Sequence, residues 1–177
     1  MDLSRRKALF CLVHGMLAVV TAGILSLATG TPILFPAYGA TAFILMMMPG
    51  GLPAAPRSVI VAHFIGATVG WASARVCNID FAQATLLHGG GWQHVAAAAI
   101  ALGVTSALML LARAPHPPAG ATTLIFALGQ LTPWYDIAIV TGSVAILCLQ
   151  MGVAYRLSKV PYPLWSANHR PAPNPNS

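Results

Sequence analysis

Acidic residues are almost missing from this chain. Asp2, Asp80 and Asp136 are the three in 177 residues, and there is no glutamate. All three fall at predicted surfaces, so the paired carboxylates used in general acid–base work are not on offer. Charged residues of both signs make up 7% of the chain, where soluble domains average roughly 25%. So little charge cannot cover a water-facing surface. With 57% hydrophobic residues and a mean hydropathy of +0.74, the composition predicts a membrane protein. The net charge of +6 is then read as an orientation signal and not as a sign of nucleic-acid binding. The cysteines, Cys11, Cys77 and Cys148, are odd in number and far apart, without a disulfide or metal-ligand spacing. They are read as packing residues. No Ser/His/Asp set, HExxH motif, Walker loop or dinucleotide fingerprint is present. No enzyme, metal or cofactor is expected.

What the chain has is apolar segments. Arg5, Arg6 and Lys7 precede a run from Ala8 to Ala28, the first predicted span. Ser4-Arg5-Arg6 is similar to a twin-arginine signal, but the run is too long and more spans follow, so it is expected to stay uncleaved. A short helix is predicted over 39–48, ending at Pro49-Gly50-Gly51, then spans at 58–76, 92–112 and 137–155, with a second short element at 116–130. Trp92, Trp134 and Tyr135 suit membrane interfaces. The loop 77–91 carries Asp80, His88 and three glycines, and the tail from 157 to 177 is rich in proline and asparagine. Residues 1–156 are read as one transmembrane domain, and the tail as cytoplasmic.

The two short elements resemble each other. Pro36-Ala37-Tyr38-Gly39-Ala40-Thr41-Ala42 and Pro117-Pro118-Ala119-Gly120-Ala121-Thr122-Thr123 match at a constant offset of 81 residues, Pro36 to Pro117 and Gly39 to Gly120. Proline removes an amide donor and interrupts a helix. Each stretch is therefore read as an unwound leg feeding a half-helix. Ten residues rise about 15 Å, half of a hydrocarbon core of about 30 Å. The half-helices either complete a crossing or turn back as hairpins, and charge discriminates. If both cross, Arg5, Arg6, Lys7, Arg57, Arg113, Arg156, Lys159 and Arg170 share one side and Arg75 stands alone on the other. If both turn back, the split is more even. The positive-inside rule favours crossing.

The expected fold is thus an all-α membrane protein with six crossings. It consists of two inverted three-helix repeats (about 8–76 and 92–156), each with a broken middle helix. Both half-helix N-termini would point at one central region. A helix N-terminus carries free N–H groups and about half a positive charge, so two of them make an anion site. The candidate binding residues are Gly39, Ala40, Thr41, Gly120, Ala121, Thr122 and Thr123. The glycines would admit close approach, and the threonines would add hydroxyl donors.

His116, at the mouth of the second leg, can change charge near neutral pH. It is a candidate for attracting an anion or coupling its passage to a proton, or for merely capping a carbonyl. His63, six residues after Arg57, is placed about 9 Å deep and either shares that vestibule or makes an interhelical hydrogen bond. His14 is read as structural, and His88, His94 and His169 as loop, interface and tail residues. Gly66 and Gly70 form a small-xxx-small pair, better explained by helix packing than by binding.

The stretch Ala114-Pro115-His116-Pro117-Pro118-Ala119-Gly120-Ala121-Thr122 resembles the signature of the HPP family of integral membrane proteins. Pro36 to Ala42, followed by Pro53-Ala54-Ala55-Pro56-Arg57 and the run from Ser58 to Ala67, is similar to that family's other block. The likeness covers about residues 10–155. Family members from plant plastids and cyanobacteria are associated with nitrite transport, and some carry cytoplasmic CBS domains, for which this chain has no room. The resemblance implies transport of a small inorganic anion, with nitrite leading. It also implies four membrane segments, where the charge pattern predicts six crossings.

Three readings follow. The first is a transporter or channel for a small monovalent anion, in a bacterial inner membrane with both termini cytoplasmic. The second is a non-transporting scaffold or sensor subunit, which predicts a dry, packed centre. The third is an intramembrane enzyme using His116 and His63, which needs a metal or carboxylate that the sequence does not supply. The small residues along 96–103 pack either within the chain or against a second copy.

Overall fold

A computed structural model describes residues 3–79 and 91–167. Asp2, Asp80, His88, the first two of the three glycines, His169 and Arg170 lie outside the described residues. The described chain is helical: α1 (Leu3–Thr29), α2 (Pro36–Met47), α3 (Pro56–Val76), α4 (Trp92–Leu111), α5 (Pro118–Ala127) and α6 (Asp136–Leu157), with a single 3₁₀ turn at Leu52–Ala54. Four of these helices, α1, α3, α4 and α6, are long and apolar enough to cross a bilayer. The two short helices have 12 and 10 residues, so they rise about 18 and 15 Å. On length alone there are four spans.

The short helices begin with proline and are not stopped by it. Pro36 and Pro118 occupy the first helical position, where the missing amide would have had no intrahelical partner. Hence α2 starts three residues before the predicted boundary, and Gly39 lies inside its first turn. The unwound legs are correspondingly short, about 30–35 and 112–117. The second leg turns at Arg113, whose φ of 49° is left-handed.

Helix α3 is the hub. Its buried positions Val59, Ala62, His63, Gly66, Ala67, Gly70, Ser73 and Ala74 repeat every three to four residues, one face of a helix. That face packs on α4, α5 and α6. The tightest approach is to α5. A Cβ placed on Gly66 would stand 2.7 Å from Thr123 Oγ1 and 2.8 Å from the Ala119 carbonyl oxygen. One on Gly70 would run into the Thr123 carbonyl and lie 2.9 Å from Phe126 Cβ. The glycine pair is a packing device, as the spacing suggested. Helix α4 joins through one stripe, Ala97, Ala101, Thr105 and Met109. Of the small residues along 96–103, Ala97 and Ala101 therefore face inward.

Contacts between helix ends order the bundle. At one end Phe10 of α1 stacks on Tyr155 of α6 with ring centroids 5.0 Å apart. The Tyr155 hydroxyl donates to the carbonyls of Leu45 (2.9 Å) and Met46 (3.2 Å) at the close of α2. Arg57, at the start of α3, donates to the carbonyls of Ala112 (3.0 Å) and Arg113 (3.1 Å) beyond α4. At the other end Trp71 Nε1 donates to the Thr132 carbonyl (3.1 Å) and Ser73 Oγ to the Ala97 carbonyl (2.9 Å). The start of α1, the ends of α2, α4 and α6 and the start of α3 thus share one end. Arg5, Arg6, Lys7, Arg57, Arg113, Arg156 and Lys159 lie there, whereas Arg75 stacks on Trp71 at the opposite end.

Adding a side chain at Gly70 should force α3 and α5 apart. Overpacking costs about 1–3 kcal/mol, and more where the obstacle is backbone. Gly70→Val is expected to lower the thermal unfolding temperature in detergent markedly. Gly103→Ala, where an added Cβ meets no atom within 4 Å, should leave it unmoved.

Candidate functional site

Where α2, α3 and α5 meet, polar side chains gather in an otherwise apolar interior. His63, His116, Thr41, Thr122, Thr123 and Thr105 are all buried, with His63 and His116 0% exposed. Buried polar groups without partners are costly, so where their hydrogen bonds go is informative. His63 stands between the two short helices. Its Nε2 is 2.8 Å from Thr41 Oγ1 on α2, and its Nδ1 is 2.8 Å from Thr122 Oγ1 on α5. Thr41 and Thr122 are related by the 81-residue offset, so the duplicated motif places equivalent hydroxyls on opposite edges of one imidazole.

His116 completes the cluster. Its Nδ1 is 2.7 Å from the carbonyl oxygen of Pro53 in the 3₁₀ turn, and its Nε2 is 3.1 Å from Thr41 Oγ1. A carbonyl only accepts, so Nδ1 carries the hydrogen and donates it. The two imidazole centroids are 5.1 Å apart. Phe35, which the offset relates to His116, sets its ring edge-on to His63 at 6.1 Å. Thr41 Oγ1 also reaches back 2.8 Å to the Ala37 carbonyl. Thr123 donates within α5 to the Ala119 carbonyl (3.0 Å) and lies 3.2 Å from Thr105 Oγ1 on α4. Among the described residues no group of three or more His, Cys, Asp and Glu side chains is arranged to hold a metal ion.

The structure thus links four of the nine sequence-predicted residues by hydrogen bonds, Thr41, His63, His116 and Thr122, and sets a fifth, Thr123, against Thr105 of α4. The other four stand apart. Gly39, Ala40 and Ala121 are exposed on the outer faces of their helices, and Gly120 is half-buried beside Leu102. At α5 the first-turn amides are already engaged. Pro118 has none, Ala119 N donates to the His116 carbonyl (3.0 Å) and Gly120 N to the Pro117 carbonyl (3.0 Å). In α2 Tyr38 N likewise donates to the Phe35 carbonyl at 2.9 Å. The donors facing the centre are therefore hydroxyls and imidazoles. Sequence reasoning missed Pro53, whose carbonyl orients His116, and Thr105. Arg57 hydrogen-bonds neither imidazole and ties α3 to the end of α4. A cavity of about 310 Å³ opens elsewhere, between α3, α6 and the segment of Tyr162 to Trp165. His14, read as structural, bonds the Phe10 carbonyl within α1 at 3.0 Å.

Thr41 serves both imidazoles. Removing its hydroxyl strands two buried nitrogens, and each unsatisfied polar group costs about 1–3 kcal/mol. Thr41→Val should reduce unfolding stability in detergent by at least that much, while Thr41→Ser, which keeps the oxygen, should recover most of the loss.

The profile described as HPP, transmembrane region, matches residues 2–163. The chain is also similar to a transmembrane protein of Dictyostelium discoideum. The two are 28% identical over 138 residues, 75% of this chain and 45% of that protein. The chain thus spans about half the length of that relative. No solved structure matches. With the match covering nearly every residue, and with the His-Pro-Pro tripeptide supplying one of the two central imidazoles, the chain belongs to the HPP transmembrane family.

Proposed function

We propose that this protein moves a small monovalent anion, with nitrite the leading candidate, across a bilayer through the region where α2 and α5 meet. One observation carries the reading: repeat-related Thr41 and Thr122 hydrogen-bond to opposite edges of the buried His63, with His116 beside it. Buried hydroxyl and imidazole groups suit an anion that has shed its water. The nitrite assignment leans on the family resemblance.

The path of the chain supports two inverted repeats. The contacts between helix ends run α1, α2 and α3 alternately between the two ends, and α4, α5 and α6 alternately from the opposite start. On this reading α2 and α5 are half-helices whose unwound legs complete the crossing, so backbone leaves helical form only where protein surrounds it. The seven basic residues at one end, with both described chain ends, support that end as the cytoplasmic one and a bacterial inner membrane as the setting.

A second reading, a scaffold or sensor subunit that transports nothing, is favoured by a different observation. Both histidines are fully enclosed, and each ring nitrogen already has a partner within the protein.

Nitrite uptake into vesicles containing the purified protein separates the two. Uptake above protein-free vesicles is expected. His116→Ala and Thr122→Val should each lower it by roughly tenfold or more, the scale of a hydrogen bond to a charged group. Uptake untouched by both substitutions would overturn the site assignment.

A further inference from the structure

The cluster is one hydrogen short. Five contacts connect its members: Ala37 carbonyl to Thr41, Thr41 to His63, Thr41 to His116, His63 to Thr122, and His116 to the Pro53 carbonyl. Each needs one hydrogen. With both imidazoles neutral there are four: one on each histidine and one on each of the two threonines. His116 spends its hydrogen on Pro53. Thr41 accepts from His63 Nε2–H, and Thr122 donates to His63 Nδ1. The single Thr41 hydrogen is then claimed twice, by the Ala37 carbonyl at 2.8 Å and by His116 Nε2 at 3.1 Å.

One added proton resolves the conflict, and it fits at one place. On His116 Nε2 it turns that atom into a donor to Thr41, whose hydroxyl is released to Ala37. Thr41 then accepts two hydrogen bonds and gives one, within the capacity of a hydroxyl. Every contact is filled. Placing the proton on His63 instead leaves the single Thr41 hydrogen still claimed by both the Ala37 carbonyl and His116 Nε2. The unprotonated and protonated states differ by a swing of the Thr41 hydroxyl.

The charge also suits the place. No carboxylate hydrogen-bonds the cluster among the described residues, so an anion there has no fixed countercharge competing with it. The other titratable groups on the surrounding elements are engaged elsewhere or lie at the ends of the bundle. Arg57 bonds carbonyls beyond α4, Tyr155 bonds those of Leu45 and Met46, and Arg75 stacks on Trp71. His14 is held by Phe10 within α1. Tyr38, His94, Asp136, Cys148 and Arg156 share no hydrogen bond with the cluster.

We propose that His116 Nε2 takes up one proton with each anion, so that the two travel together and no net charge crosses. This rests on the transport reading above and specifies its co-substrate. The proton reaches Nε2, the Thr41 hydroxyl turns to Ala37, and the charge of the imidazolium, whose two N–H groups stay on Pro53 and Thr41, draws the anion in. Loss of the proton returns Thr41 to His116 and removes the countercharge, so the anion leaves.

The test uses the unaltered protein in vesicles with a pH dye inside and the membrane potential set by a potassium ionophore. A nitrite gradient at neutral pH is the drive, and protein-free vesicles give the background. The expected result is acidification of the lumen in step with nitrite uptake, one proton per nitrite, at a rate indifferent to the potential. Uptake that follows the potential and carries no protons overturns the coupling and leaves anion transport standing. An absence of uptake above background overturns both.

Discussion

The interior depends on His63. An imidazole enclosed in apolar surroundings has two ring nitrogens to satisfy, and its neutral form offers one donor and one acceptor. Here the partners come from two different helices, Thr41 on α2 and Thr122 on α5. Loosening either helix leaves a polar atom stranded in the interior. The bond pattern therefore fixes both short helices against α3. These helices are too brief to be held by their own propensity, since helices under about 12–15 residues are marginal alone.

Such a bridge has short reach, so the backbones must come close first. Gly66 and Gly70 provide that, letting α5 lie so close to α3 that a larger residue at either position would meet an α5 carbonyl. From the far side Thr105 of α4 meets Thr123 of α5 at 3.2 Å, which ties the third helix to the same layer. Apolar contact alone gives little drive inside a bilayer, where lipid is as apolar as leucine, and close packing with buried hydrogen bonds takes its place. The glycines and the threonines are two halves of one solution. One brings the helices near, and the other fixes their register.

Much of this was legible in the sequence. Composition was enough for the membrane class, and the 81-residue offset marked Thr41 and Thr122 before any coordinates. Two things were hidden. The first was phase. Placing the start of α2 at Gly39 aims the glycine at the centre, but a helix opening at Pro36 turns about 100° per residue. Ala37, Tyr38 and Thr41 then face inward while Gly39 and Ala40 face out. The second was distance along the chain. His116 was expected at a mouth and lies enclosed, because a carbonyl 63 residues earlier, that of Pro53, holds it. No local pattern reports a partner so remote. The same limit applied to His63: its place between two threonines followed from packing.

The offset does not pair like with like throughout the site. The offset pairs threonine with threonine around His63, but it pairs Phe35 with His116. Both rings lie against the same imidazole, at 6.1 and 5.1 Å. One contributes a hydrocarbon edge, and the other a group that can gain a proton. Two equivalent histidines so close would oppose each other's charge in a medium of low dielectric. A phenyl ring on one side leaves a single ionisable neighbour and gives the pair a direction, with Pro53 anchoring only that side. The duplicated motif sets a threonine on each side of His63, and the pairing of Phe35 with His116 makes the cluster asymmetric.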